Sequence, residues 1–135
     1  SAASKPPPPS QFKILPVLEK AKSAYLLWYE YYKIIPRIHK HSLGAKIDKI
    51  FIDIIEAIIT ANFLSPKEKE PYIRFAIKKL DTLKIFLMML WELKALDNEK
   101  YITLSERLNE IGRNLGGWRG KILKENSPKD EREMK

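Results

Sequence analysis

Apolar side chains recur every three or four residues along four stretches of the chain. In the first, Val17, Ala21, Tyr25, Trp28 and Tyr32 form a stripe that Ala24, Leu27 and Tyr31 widen. This spacing puts them on one face of an α-helix. Pro16 suits the first helical turn, where an N–H would lack a partner anyway. Pro36 ends the helix and pushes Ile35 out of helical geometry. Pro36 to Leu43 then reads as a short polar connection, with Ser42 placed to cap the next helix.

The second helix is expected from about Leu43 to Asn62. Its polar positions Lys46, Lys49, Asp53, Glu56 and Thr60 fall on one narrow stripe, while Ile47, Ile50, Phe51, Ile52, Ile54, Ile55, Ile58 and Ile59 cover most of the remaining circumference. A helix apolar on most sides is buried on most sides. An outer helix of a small bundle buries one stripe against its own chain, so the excess predicts a second burial partner, another copy of the chain. Phe51, Ile55 and Ile59 are the candidates for that contact.

Phe63 to Lys69 reads as a loop, with Ser65-Pro66 a turn or helix start. The third helix is expected from Lys67 or Glu68 to Leu96, with Pro71 tolerated in its first turn. Ala76, Leu80, Leu83, Leu87, Leu90 and Leu93 form its core stripe; Phe86, Met89 and Trp91 lie partly off it. Asp97-Asn98 is the next connection. The fourth helix begins near Asn98, carries Tyr101, Leu104, Leu108, Ile111, Leu115, Trp118 and Ile122, and frays by Asn126 before Pro128. Four amphipathic segments on short loops, with no competing strand pattern, predict an all-α, antiparallel up-and-down four-helix bundle. Residues 15–126 form that domain. Residues 1–14, with Pro6 to Pro9, read as a disordered Pro-rich arm that is stiff and extended at its prolines, and residues 127–135 as a charged disordered tail.

Glycine is concentrated in the fourth helix: Gly112, Gly116, Gly117 and Gly120. Each interior helical glycine costs roughly 1 kcal/mol relative to alanine. Gly116-Gly117 is a natural helix terminator, but the apolar period continues through Trp118 to Ile122. The spacing of Gly112, Gly116 and Gly120 instead predicts a ridge without Cβ atoms for close contact with another backbone, with Gly117 and Trp118 beside it.

The segment Asn109-Glu110-Ile111-Gly112-Arg113-Asn114-Leu115-Gly116-Gly117-Trp118 resembles the ending of Avd proteins, the accessory variability determinants of diversity-generating retroelements. Leu27-Trp28, the helix start Ser42-Leu43-Gly44 with Lys46-Ile47, the stretch Glu56 to Ala61, and Leu80-Asp81 to Leu93 match the same family in order. The resemblance covers roughly Leu15 to Lys124. The Gly-Gly-Trp motif is fairly specific; the helical stripes alone are not. The proline arm and the charged tail depart from the pattern. A more distant similarity connects the chain to the four-helix proteins encoded in ribosomal RNA intervening sequences. The Avd resemblance implies a homopentamer shaped as a tapered barrel. It also implies binding to the element's reverse transcriptase and to RNA or DNA during mutagenic copying. The alternative is an oligomeric interaction protein with no polymerase partner.

Composition changes the picture in three ways. With 25 Lys and Arg against 17 Asp and Glu, the net charge is +8 over 135 residues. That excess fits a polyanion partner or a Lys-rich soluble surface. The cations gather as Arg37, Lys40, Lys46 and Lys49; as Arg74, Lys78, Lys79 and Lys84; and as Arg113, Arg119, Lys121 and Lys124, with no acid between Arg113 and Lys124. Clusters of this kind neutralise phosphates without reading sequence. Next, cysteine is absent, which rules out disulfides and thiolate metal sites and fits a reducing compartment. With no secretory h-region and no apolar run near the roughly 18 residues of a membrane span, the expected location is the cytoplasm, with no membrane partner. Finally, no set of residues points to an enzyme. His39 and His41 have no carboxylate cluster beside them, so no metal is expected. Asp53 and Glu56 lack the Glu-x-x-His pairs of di-iron bundles. No phosphate-cradling loop and no paired polymerase aspartates occur, so no cofactor is expected and any copying falls to a partner. Tyr25, Trp28, Tyr29, Tyr31 and Tyr32 suit packing better than base stacking, with Tyr29 furthest from the stripe.

Overall fold

The structure, a computed structural model, describes residues 15–127; the expected arm at 1–14 and the tail beyond Ser127 lie outside them. The described residues form five α-helices and no strand: α1 (Pro16–Ile34), α2 (Arg37–Lys40), α3 (Leu43–Asn62), α4 (Pro66–Glu92) and α5 (Asn98–Glu125). The four long helices close a ring in which α1 and α4 each pack on both α3 and α5. Neighbours run antiparallel. Lys20 meets Glu110 and Ser23 meets Arg107 across α1 and α5. Arg119 meets Glu70 and Tyr101 stacks on Trp91 across α5 and α4. Inside the ring Trp28, Ile47, Ile58, Leu80, Leu83, Leu87, Leu104 and Leu108 are fully buried, and no described polar or charged side chain is. No helix among the described residues is long and apolar enough to cross a membrane.

The expected connection between the first two long helices holds a short helix. Pro36 cannot continue α1, and Ile35 turns extended as the proline requires. The Pro36 carbonyl then accepts from the backbone N–H groups of His39 and Lys40, which starts α2. Ser42 stands at the N-cap of α3 but does not cap it; its hydroxyl donates back to the Ile38 carbonyl, 3.1 Å away. Gly44 explains how α3 can begin so soon. A Cβ on it would stand 2.8 Å from the His39 carbonyl oxygen and 3.2 Å from Tyr32, closer than real Cβ atoms approach backbone. The turn of α2 can lie against α3 only because this residue has no side chain.

The third expected helix ends earlier than its apolar period suggests. α4 starts at Pro66, with the Ser65 hydroxyl on the Glu68 carboxylate (2.8 Å), and stops at Glu92. Lys94 adopts a left-handed conformation, φ 62°. The Lys94 N–H returns to the Trp91 carbonyl and the Ala95 N–H to the Leu90 carbonyl, a pair of bonds that closes a helix end. The reversal swings Leu93 outward, 54% exposed, and tucks Leu96 into the core at 2%. Leu93 therefore leaves the expected core stripe and Leu96 replaces it. Asp97 then caps α5 by accepting from the Lys100 N–H at 2.8 Å. The left-handed position is strained for lysine and natural for glycine. Lys94→Gly is expected to stabilise the fold by about 0.5–1 kcal/mol, read as a higher urea midpoint at unchanged slope, with no gain for Lys94→Ala.

Candidate nucleic-acid interface and oligomer face

The sequence clusters of cations do not survive as three patches. Helical geometry and local pairing sort them onto different faces. Arg37 and Lys40 sit on α2, and Lys46 and Lys49 on the first turns of α3, all at the end of the bundle where α1 finishes. Lys49 is paired with Asp53 at 3.2 Å; Arg37, Lys40 and Lys46 form no ion pair among the described residues.

On α4, Arg74 approaches the Glu70 carboxylate at 3.9 Å. The same carboxylate, only 15% exposed, accepts from the Arg119 Nε at 3.1 Å. Arg119 thus joins α5 to α4 through its Nε, while its side chain stays 38% exposed. Lys79 lies over the Phe75 ring, 5.5 Å from its centroid, on the side of α4 that faces α3. Lys121 falls on the Asn114 and Trp118 face of α5, seven and three residues on. Trp118 itself is half-buried, covered by Lys69 at 5.4 Å.

What the structure does bring together lies along the α4/α5 seam. Lys84 and Arg113 line a shallow groove with Ile77, Asp81, Asn109 and Gly112. Gly112 makes the close contact expected of the glycine ridge: a Cβ there would stand 3.3 Å from Leu80 and 3.5 Å from the Lys84 amine. Gly116, Gly117 and Gly120 face open space. The reason is geometric. A straight helix advances about 40° for every four residues, so a ridge seated on α4 at Gly112 has swung off it by Gly120. Arg113, Gly117, Gly120 and Lys124 then share one outward face at spacings of four, three and four. Across the seam on α4, Arg74 and Lys78 are exposed one turn apart.

A second, apolar surface runs along the α1/α3 seam. Asp48 marks that side of α3, because it accepts from the Tyr25 hydroxyl (2.9 Å) and the Trp28 indole (3.2 Å). Ile52, Ile55 and Ile59 follow Asp48 at four, seven and eleven residues and continue its row. Ile52 and Ile59 are 42% and 41% exposed, and Ile55 is half-buried. Tyr29 (48%) and Leu26 (62%) extend the surface on α1. Phe51 is different: it is 2% exposed and packs against Trp28 and Tyr25. It belongs to the subunit's own core and is withdrawn from the oligomer candidates. Among the helix α1 aromatics, Trp28 is buried, Tyr25, Tyr31 and Tyr32 are half-buried, and Tyr29 is the exposed one.

Sequence reasoning passed over Asp48. Its signal was an acid off the polar stripe of α3, opposite a helix rich in Tyr and Trp. Its effect is chemical as well as structural. Burial, and then the Asp48 carboxylate, push the Tyr25 phenol up to about 12. Among the described residues there is no group of three or more His, Asp or Glu side chains placed to hold a metal ion.

No curated protein matches the chain in sequence at a significant level. The family comparison does find a match. Residues 17–122 match the bAvd-like family, a span from the first turn of α1 to the last buried residue of α5, with Gly44, Trp28, Gly112 and the open glycines all inside it. The chain belongs to the bAvd-like family.

Proposed function

We propose that the chain is the non-catalytic accessory protein of a diversity-generating retroelement. It acts in the cytoplasm, holding the element's reverse transcriptase and nucleic acid together during mutagenic copying. Family membership over residues 17–122 is the observation that carries this reading. The two surfaces give it physical content. The α1/α3 face, with Ile52, Ile55, Ile59 and Tyr29, is the contact between copies in a homopentamer. The α4/α5 face, with Arg74, Lys78, Arg113 and Lys124 flanking glycines that leave the backbone uncovered, receives the phosphate chain of RNA or DNA. Five copies turn a weak cationic strip into an avid one, because each further contact is made at high local concentration.

Binding is expected to be insensitive to base sequence and steeply sensitive to salt. The test is a mobility-shift titration with single-stranded RNA and DNA across a salt series. Lys78→Glu combined with Arg113→Glu is expected to weaken binding about tenfold or more. The salt slope should flatten by roughly 0.7 for each phosphate that is no longer neutralised. Lys79→Glu and Lys121→Glu, on other faces, are expected to bind within about twofold of the parent. A parent protein that binds neither nucleic acid at low salt favours the alternative of an interaction module without a polymer ligand. Co-purification with the element's reverse transcriptase tests the other partner.

A further inference from the structure

The polar stripe of α3, away from the isoleucine row, carries Asp53 and Glu56 beside two exposed rings of α4. Between α3 and α4 runs a groove of about 380 Å³ lined by Asp53, Glu56, Thr60, Pro71, Tyr72 and Phe75. Tyr72 and Phe75 are 43% and 44% exposed. On a chain of net charge +8, this is a place where carboxylates and aromatic rings stand together. Asp53 shares its charge with the exposed Lys49, while Glu56 has no ion pair among the described residues. Aromatic rings flanked by acids form a surface suited to a polyproline II segment with a basic residue at its end. The proline rings lie on the aromatics, the cation meets the carboxylates, and little entropy is lost because the segment is already extended.

The chain carries a matching sequence, Lys5-Pro6-Pro7-Pro8-Pro9. We propose that this arm docks in the α3/α4 groove of its own chain, with prolines on Tyr72 and Phe75 and Lys5 at Glu56 and Asp53. The topology permits it. α1 begins at Pro16, at the end of the bundle where α3 finishes and α4 starts, and that end holds the groove's Thr60, Pro71 and Tyr72. Pro9 and Pro6 precede Leu15 by six and nine residues, a reach of up to about 20–30 Å for extended chain. The groove lies about one and a half helix spacings from the start of α1, or roughly 15 Å. The docked arm covers the two exposed rings. It occupies the side of α3 away from Ile52, Ile55 and Ile59, so it leaves the face proposed for contact between copies free. Docking of the arm is independent of the proposed function.

Because the chain has no cysteine, a single engineered pair can test it in the full protein. Ser4→Cys with Thr60→Cys, treated with a short bis-maleimide, is expected to give a product within one chain. Its yield should exceed that of Ser4→Cys with Asn109→Cys, on the α4/α5 face, by about tenfold, because docking raises the local thiol concentration. Glu56→Lys with Phe75→Ser should abolish the preference, at unchanged circular dichroism. Replacing Pro6 to Pro9 with glycine, which leaves every helix untouched, should abolish it too. Equal yields at Thr60 and Asn109, a product that joins two chains, or a preference that survives the glycine arm would each overturn the proposal.

Discussion

Ile52→Glu combined with Ile59→Glu is expected to break the assembly into single subunits while leaving the helical fold intact. In one chain both side chains are more than two-fifths exposed, so carboxylates there are solvated and cost the subunit little. In an oligomer sealed along the α1/α3 face, each would be an unpaired charge in an apolar contact. That costs several kcal/mol per group, and even about 3 kcal/mol per site weakens association more than a hundredfold. Light scattering is therefore expected to read 15.8 kDa for the variant and a multiple of that, five under the proposed pentamer, for the parent. The circular dichroism of the two should match. A parent chain that runs as a well-folded 15.8 kDa monomer would mean that Ile52, Ile59, Leu26 and Tyr29 are stable in water, and the assembly would have no physical basis. Nucleic-acid binding gives a second readout. Single subunits lack the benefit of repeated contacts, so their affinity should fall even though no cation has been touched.

The elements were legible because their signals are local. Proline stops α1, and a three-to-four period marks every buried residue of α5. Two kinds of information were not local. The first is chain reversal after α4: no glycine marks the left-handed residue, Lys94 occupies it, and the leucine period runs straight on, so Leu93 and Leu96 exchange places. The second is the azimuth of one helix against its neighbour. Arg113, Arg119, Lys121 and Lys124 are one cluster on paper and three environments in the fold, because Arg119 is held by Glu70, Lys121 shares the Trp118 face, and Arg113 with Lys124 flanks the open glycines. The glycine ridge was half legible for the same reason: its spacing is visible, whereas its drift off α4 depends on where the partner helix lies. The polar stripe of α3 was visible too, but not that Tyr72 and Phe75 would stand across from it. The excess of isoleucine on α3 was the most informative pattern. It pointed to apolar side chains on α3 beyond one core stripe, and Ile52 and Ile59 are exposed on the subunit.

Trp28→Ala is expected to cost about 3–5 kcal/mol, a large share of the roughly 5–15 kcal/mol that holds a domain of this size together. Trp28 is 0% exposed. It stacks on Phe51 with ring centroids 6.1 Å apart and meets Tyr32 edge-on at 5.5 Å. Its indole N–H donates to Asp48, the carboxylate that also receives the Tyr25 hydroxyl. The alanine variant leaves a large cavity at the junction of α1 and α3. Its urea midpoint should fall far below that of the parent, and partial unfolding at 37 °C should follow. Asp48→Asn separates packing from polarity. It keeps the volume and an acceptor but removes the charge, so its cost should be smaller, about 1 kcal/mol. The same cluster sets an alkaline limit. Below pH 10, the ordinary value for tyrosine, folded and unfolded chains both keep the Tyr25 phenol neutral and it contributes no pH dependence. Above pH 10 the unfolded chain releases that proton, while the folded chain holds it until about 12. The unfolded state then binds fewer protons, so stability falls across this window. In Asp48→Asn the neighbouring charge is gone and the folded phenol releases its proton sooner. The fall should then start at the same pH, end at a lower one and be smaller in total. An identical alkaline profile in parent and variant would show that Asp48 does not hold the phenol neutral, and its place beneath Tyr25 and Trp28 would then be a matter of shape alone.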